Sequence, residues 1–145
     1  MKKFNLIALS LSAMLLLTGC GKTLTCTRTE DQDGIEVEQE WKVKYNSDDE
    51  ITKVNLTAKM ELTDKDYEDE WEDFVDEMDE MIEEAEEEDE EGIKISSKSG
   101  KKTYEMSVKI DAKKAKNSAI DEFYDHKMDI EELEEYLEEL DYKCK

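Results

Sequence analysis

The amino-acid sequence predicts an α+β fold, in which a five-stranded, mainly antiparallel sheet carries a long acidic helix and a C-terminal helix on one face. Two kinds of pattern support this prediction. Stretches that alternate apolar and polar residues indicate strands that bury one face, and stretches with apolar residues every three or four positions indicate helices that bury one stripe. Both kinds of element must bury their apolar side, so the helices are expected to pack across the apolar face of the sheet. The predicted order of elements along the chain is β-β-β-α-β-β-α.

The first three strands are expected to form a meander with short turns. A Thr-rich strand over residues 24–30 comes first, and the turn over 31–34 follows it, with Gly34 supplying a positive φ. The apolar face of the second strand is formed by Ile35, Val37, Trp41, Val43 and Tyr45, and that of the third by Val54, Leu56, Ala58, Met60 and Leu62. The opposite face of the sheet, which carries Lys42 and Lys59 among other charged residues, is expected to be hydrated.

A long amphipathic helix is predicted after the third strand. Thr63 is expected to cap it and Gly92 to end it. Its apolar stripe consists of Tyr67, Trp71, Phe74, Val75, Met78, Met81, Ile82 and Ala85. The rest of the helix is acidic, since residues 64–91 contain 19 Asp or Glu and only one Lys.

Two further strands and a last helix complete the predicted fold. The fourth strand is expected to begin at Ile93, and the fifth to cover residues 104–110 after a hairpin turn. Residues 112–128 fit either a short helix or a loop. Asp129 and Glu132 have the spacing of a capping box. The apolar stripe of the helix that follows is Ile130, Leu133, Leu137 and Leu140.

The first 20 residues have the pattern of a bacterial lipoprotein leader. Two lysines precede an apolar stretch over 6–17, and the lipobox pattern LTGC occupies residues 17–20. About twelve apolar residues span only about 18 Å, which is too short for a hydrocarbon core of about 30 Å. The alternatives are an uncleaved N-terminal anchor, or an ordinary signal peptide followed by a chance cysteine. We expect signal-peptide residues 1–19 to be removed and Cys20 to carry lipid, palmitate included, on the extracytoplasmic face of the cell membrane.

The mature chain is then a lipidated tether over 20–25 and a single α+β domain over 26–145. Loss of the leader, which holds two Lys and no acid, changes the net charge from −22 to −24. Such a charge argues against nucleic acid, whose phosphates require Lys and Arg. It argues equally against peripheral binding to anionic lipid, so the acyl chains are expected to provide the anchor.

Cysteine usage fits the same compartment. With Cys20 lipidated, Cys26 and Cys144 remain, and an even number of cysteines outside the cytoplasm favours a disulfide between them. The alternatives are two unpaired thiols or a metal site. A metal site lacks support because no second Cys or His stands at ligand spacing beside either residue.

No catalytic residue, metal ligand or cofactor is predicted. The acidic helix lacks the ligand spacing of an EF-hand loop, so weak and diffuse cation binding is expected there rather than a specific site. His126 is the sole histidine and has no recognisable partner in the sequence. A hydrolase that uses two carboxylates stays open, although nothing distinguishes any pair among the 42 acidic residues.

Aromatic and methionine residues allow two interpretations. Trp41, Tyr45, Tyr67 and Trp71 could form a platform that stacks on sugars, but they fall in phase with the apolar faces and are expected in the core. The same argument favours core packing over soft-metal binding for the methionines at 60, 78, 81 and 106.

The layout resembles the YehR-like family of small bacterial lipoproteins. Beside Cys20, the local patterns that carry this resemblance are LTCT at 24–27, WKVKY at 41–45, ITKV at 51–54, GI at 92–93, VKID at 108–111 and YK at 142–143. The resemblance covers nearly all of residues 20–145. It implies a small lipid-anchored domain of the cell envelope, and it transfers no catalytic residue.

The function expected from the sequence is that of a membrane-anchored binding or interaction module, with an envelope protein as its partner and no enzymatic activity. The alternatives are an accessory or structural lipoprotein of an envelope complex, and a carboxylate-using hydrolase. Repulsion from anionic lipid is expected to turn the acidic helix away from the membrane.

Overall fold

The computed structural model describes residues 21–145. Its strands are β1 Lys22–Gln32, β2 Ile35–Tyr45, β3 Ile51–Leu62, β4 Ile93–Ser99, β5 Thr103–Asp111 and β6 Lys143–Cys144, and its α-helices are α1 Glu68–Glu87, α2 Asn117–Ile120 and α3 Ile130–Glu139. The strands form one antiparallel sheet in the order β4-β5-β3-β2-β1-β6. The lipobox at 17–20, with its Cys20, lies outside the described residues.

The predicted α+β class is confirmed, but the predicted number of five strands is wrong because the sheet has six. The additional strand, β6, has only two residues and pairs with β1. Its pairing is extended by backbone hydrogen bonds of 2.8 and 3.1 Å between Thr25 and Lys145. A two-residue strand is too short to show an alternating pattern and therefore could not be predicted.

Strand β1 begins at Lys22, two residues before the predicted start. It therefore includes most of the segment expected to form the tether. The polar residues at its start show no apolar alternation, but each has a partner on the long strand β2, from Lys22 opposite Tyr45 to Gln32 opposite Ile35. Backbone pairing along the full length of β2 is what orders them.

The hydrophobic core lies on one face of this sheet. Residues directly opposite each other on paired strands share a face, and the row Leu24, Val43, Val54 and Ile110 is buried. Helix α3 packs on this face through Leu133 and Leu137, both fully buried. Helix α1 packs on the same face at the other end of the strands, where Trp71 contacts Leu62 and Tyr104. The opposite face of the sheet, called the open face below, carries no helix of residues 21–145.

The ends of helix α1 differ from the prediction. Thr63 does not cap it: its hydroxyl donates to the Gly34 carbonyl (2.9 Å), while the Asp64 carboxylate accepts from the Asp66 N–H (3.0 Å) in a 3-10 turn that precedes α1. The helix ends at Glu87, and Gly92 stands in the turn into β4 instead.

Residues 112–128, for which the sequence allowed either a short helix or a loop, contain both. They form the one-turn helix α2 and several turns, held down by the buried side chains of Ile120 and Tyr124. The predicted capping box of α3 is confirmed, since the Asp129 carboxylate accepts from the Glu132 N–H (3.0 Å) and the Glu132 carboxylate accepts from the Asp129 N–H (3.2 Å).

Candidate functional site: a lysine patch on the open face

Lysines gather at one end of the open face. The strand register places Lys44 directly opposite Lys53, and Lys94 directly opposite Lys109. Lys42 stands on the same face of β2, opposite Asn55, which in turn lies opposite Lys109. The members of this lysine patch are Lys42, Lys44, Lys53, Lys94 and Lys109, and all are exposed. They occupy two adjacent rows across four neighbouring strands.

The charge of the open face changes along the strands. Beyond the lysine patch, one row alternates in sign and consists of Glu38, Lys59, Glu105 and Lys98. The last row, beside the β1–β2 turn, is acidic, with Asp31 opposite Glu36 and Glu36 opposite Glu61. A strongly acidic chain therefore presents a basic surface at one end of the sheet and an acidic one at the other.

Four of the five patch lysines lack an ionic partner within the described chain. Lys42 pairs with Glu40 at 3.0 Å, but among residues 21–145 the other four have no carboxylate oxygen within 4.0 Å. Like charges directly opposite each other on paired strands are destabilising. The protein thus holds two Lys–Lys pairs although its sequence contains 42 acidic residues against 20 basic ones. Of the four lysines, Lys53 has an acidic residue, Asp111, directly opposite it on its other side.

A broad groove of about 620 Å³ runs over the patch. Its lining includes the five patch lysines together with Thr23, Asn55 and Lys114, and the carboxylates of Glu91 and Asp111 also border it. Ammonium donors therefore outnumber carboxylates in the groove by six to two. Such donors attract and hold anionic oxygens, and phosphates above all.

The patch lies at the N-terminal end of β1. Thr23, the second residue of this strand, is directly opposite Lys44. Gly21 is the first described residue, and its backbone approaches the carbonyl of Tyr45 at the end of β2. The point at which the leader segment joins the domain is therefore a corner of the same basic surface.

The sequence predicts a hydrated face that carries Lys42 and Lys59, but it does not reveal the patch. The signal lies within β2, where the residues of the open face are Glu36, Glu38, Glu40, Lys42 and Lys44, in an order that runs from acidic to basic. Whether the lysines of four strands meet depends on the strand order and register, which a single strand does not reveal.

The structure brings Cys26 and Cys144 together. They are directly opposite each other on β1 and β6, with a Cα–Cα distance of 4.0 Å and their Sγ atoms at bonding distance. Since the neighbouring pair, Thr25 and Lys145, exchanges both backbone hydrogen bonds, the cysteines occupy a non-hydrogen-bonded position, where facing side chains come closest.

His126 has a partner that the sequence did not reveal. Its Nδ1 lies 2.6 Å from Asp121 Oδ1, and its backbone N–H donates to the same oxygen at 2.9 Å. These hydrogen bonds lower the pKa of the Asp121 carboxyl. Among the hydrogen bonds of residues 21–145, none joins a hydroxyl or thiol to the His126 ring, so this pair stabilises a turn and presents no activated nucleophile.

Two groups of potential metal ligands occur in the described chain. Asp121, Asp125 and His126 have ligand atoms within 4.8 Å of one another, as do Glu134, Glu138 and Cys144. In the first group the ligand atoms are engaged in the turn, and in the second the sulfur is at bonding distance from Cys26.

Two acidic side chains of α1 contact the sheet and its hairpin. Glu68 pairs with Lys102 at 3.2 Å. Asp79 accepts hydrogen bonds from the hydroxyls of Tyr104 (3.0 Å) and Ser97 (3.5 Å) and so connects α1 to the sheet. Burial raises the pKa of the Tyr104 phenol, and the hydrogen bond to Asp79 acts in the same direction. The other acidic side chains of the helix form a hydrated surface.

The predicted core positions of the aromatic and methionine residues are mostly confirmed. Trp71 is buried and packs on Phe74, with ring centroids 5.5 Å apart. Trp41, half-buried, meets Tyr124 edge-on at 6.5 Å. Met81 is an exception, since 62% of it is exposed. It precedes Ile82 by one residue, about 100° around the helix, and so points away from the sheet.

Comparisons of the chain with protein-family models, with curated proteins and with solved structures found no match. Within residues 21–145, none of the helices has the length and apolar character needed to cross a bilayer.

Proposed function

We propose that this chain is a lipoprotein, held on the extracytoplasmic face of a bacterial membrane by lipid on Cys20, whose domain acts by binding rather than by catalysis. The observation that carries the proposal is the junction between leader and domain. The lipobox ends at Cys20 and strand β1 begins at Lys22. Two residues of extended chain reach at most about 7 Å, so an acyl chain on Cys20 would hold the sheet at the membrane surface.

The distribution of reactive groups supports binding over catalysis. The best-formed group of side chains is the lysine patch, which is suited to hold anions through charge. The histidine of the domain completes a turn with Asp121. Relationship to the YehR-like lipoproteins, suggested by the sequence patterns, is part of the same proposal.

We also propose that Cys26 and Cys144 form a disulfide in the mature protein. A bond at this position would join the first and last strands of the domain close to the anchored corner. Both chain ends would then be held together at the membrane, which suits a domain that works at its point of attachment.

The test is the fate of Cys20→Ser when the chain is expressed with its own leader in a bacterial host. Lipid attachment would be lost, and the wild-type mature form should disappear from the membrane fraction, leaving uncleaved precursor. Ser47→Ala serves as the control, because it changes one exposed side chain outside the lipobox and should leave membrane attachment intact. A Cys20→Ser protein with its leader cleaved and its membrane association unchanged would contradict the proposal.

A further inference from the structure

We infer that the lysine patch docks on the anionic phospholipid surface around the anchor, so that the open face of the sheet is turned toward the bilayer. This inference rests on the proposed lipid anchor at Cys20. It adds to that proposal a defined contact surface and the chemistry of the headgroups that it meets.

The position of the patch is the first reason. Lys44 is opposite Thr23, and Cys20 is two residues before the start of β1. With strands about 4.8 Å apart, the row from β1 to β4 extends about 19 Å from the anchored strand. Ammonium groups act on a charged surface only within a Debye length, about 8 Å at physiological salt. An anchor at this corner brings Lys44 within that range, and the lysines further along the row reach it when the open face is turned toward the bilayer.

The separation of charge is the second reason. The net charge of the chain predicts repulsion from anionic lipid, but most of the acidic groups lie away from the patch, and the carboxylates that border its groove are those of Glu91 and Asp111. The acidic row with Glu36 and Glu61 is at the far end of the open face, and α1 packs on the opposite face. With the patch turned down, α1 is separated from the lipid by the sheet, as its repulsion requires.

The unpaired lysines are the third reason. Lys44 opposite Lys53 and Lys94 opposite Lys109 repel each other in the free domain. Headgroup phosphates between them would convert this repulsion into attraction. A bilayer fits better than a single small anion because the lysines are spread over an open surface that crosses four strands, where many headgroups can bind at once.

The experiment uses the mature lipidated chain reconstituted in vesicles of phosphatidylcholine, alone or mixed equally with phosphatidylglycerol. An amine-acylating reagent is added, and the acylation rate at each lysine is measured by mass spectrometry. The patch lysines should react about fivefold more slowly on the anionic vesicles, as expected for an ammonium group held at an anionic surface. The protection should disappear at molar salt. Lys59 and Lys98, on the same face but two rows further along, should react equally on both kinds of vesicle.

Two double variants provide the matched comparison. Lys44→Gln/Lys53→Gln removes two charges from the patch, and protection of Lys94 and Lys109 on anionic vesicles should fall. Lys59→Gln/Lys98→Gln removes the same number of charges from the same face and should leave that protection unchanged. Neither variant endangers the fold, because all four side chains are exposed.

Each remaining outcome contradicts a defined claim. Vesicle-bound protein with equal lysine reactivity on neutral and anionic lipid overturns the docking inference and leaves the anchor intact. Chain that does not float with vesicles of either kind overturns the anchor, and the inference with it. Equal protection by soluble inorganic polyphosphate, with the protein on neutral vesicles, assigns the patch to a free anionic polymer and also overturns docking on the bilayer.

Discussion

Reduction of the proposed Cys26–Cys144 disulfide should cost this domain a large part of its stability. The two cysteines are 118 residues apart in sequence, so the bond closes nearly the whole domain into one loop. On the loop-entropy model, opening a loop of this length relaxes the unfolded chain by about 5 kcal/mol. Domains of this size are commonly stable by about 5–15 kcal/mol, so the reduced protein should be close to unfolding.

The assay is equilibrium unfolding in urea, followed by tryptophan fluorescence, with and without a thiol reductant. Trp41 and Trp71 report on the two core clusters, which lie on the same face of the sheet at opposite ends of the strands. The matched control is Cys26→Ala/Cys144→Ala, which should resemble the reduced wild type and should not respond to the reductant. Using reduced and oxidised forms of one sequence avoids a cavity at Cys26, which is fully buried.

The proposed disulfide is wrong if the folded, oxidised protein contains titratable thiols at these positions. It also fails if the reductant shifts the free energy of unfolding by less than about 1 kcal/mol, because a loop of this length would then not constrain the unfolded chain. If the reductant lowered the free energy of unfolding of the double-alanine control by a similar amount, the effect would come from the reductant and not from the disulfide.

Three further predictions concern single side chains. Lys44→Glu, which places a carboxylate between Lys53 on β3 and Thr23 on β1, should raise the free energy of unfolding by about 0.2–1 kcal/mol in urea titrations. Gly92→Ala should destabilise by at least about 1–3 kcal/mol in the same assay, because its φ is +83° and its Cβ would be 2.4 Å from the Ala115 nitrogen. Burial raises the pKa of Tyr124 to about 12, so its stabilising effect is present below pH 10 and is lost as pH rises through 12. Between pH 10 and pH 12, the free energy of unfolding of wild type should therefore fall by up to about 3 kcal/mol more than that of Tyr124→Phe.

Each of these predictions has an opposite outcome. A loss of stability in Lys44→Glu would show that the Lys44–Lys53 pair is not unfavourable in the free domain. Unchanged stability in Gly92→Ala would mean that the turn before β4 relaxes without cost. Identical alkaline unfolding of wild type and Tyr124→Phe would mean that the buried phenol ionises as readily as an exposed one.

The long strands could be predicted from sequence because each alternates over many residues. The clearest cases are β2 and β3, where burial of one face imposes a period of two over eleven and twelve residues. The same argument fails for β6, whose two residues cannot show a period, and for the polar start of β1, which is ordered by its partner strand. The even number of cysteines left beside Cys20 predicts that Cys26 and Cys144 pair, and the structure places their Sγ atoms at bonding distance, while the disulfide itself stays a proposal.

The lysine patch could not be predicted, for a different physical reason. Its members belong to four strands, and β3 is adjacent to β5 rather than β4 in the sheet. Net charge describes the whole chain as acidic and contains no information on where the charges lie. The strand register concentrates exposed lysines at one end of one face, and this distribution could not be read from composition.

The most direct test of the central claim is the mass of the N-terminal peptide of the protein, isolated from bacterial membranes after expression with its own leader. A lipid anchor requires a chain that begins at Cys20 and carries a diacylglyceryl group on that sulfur, with the mass of the acyl chains added to the peptide. An N-terminus elsewhere, or an unmodified Cys20 in membrane-bound protein, would rule out the lipid anchor.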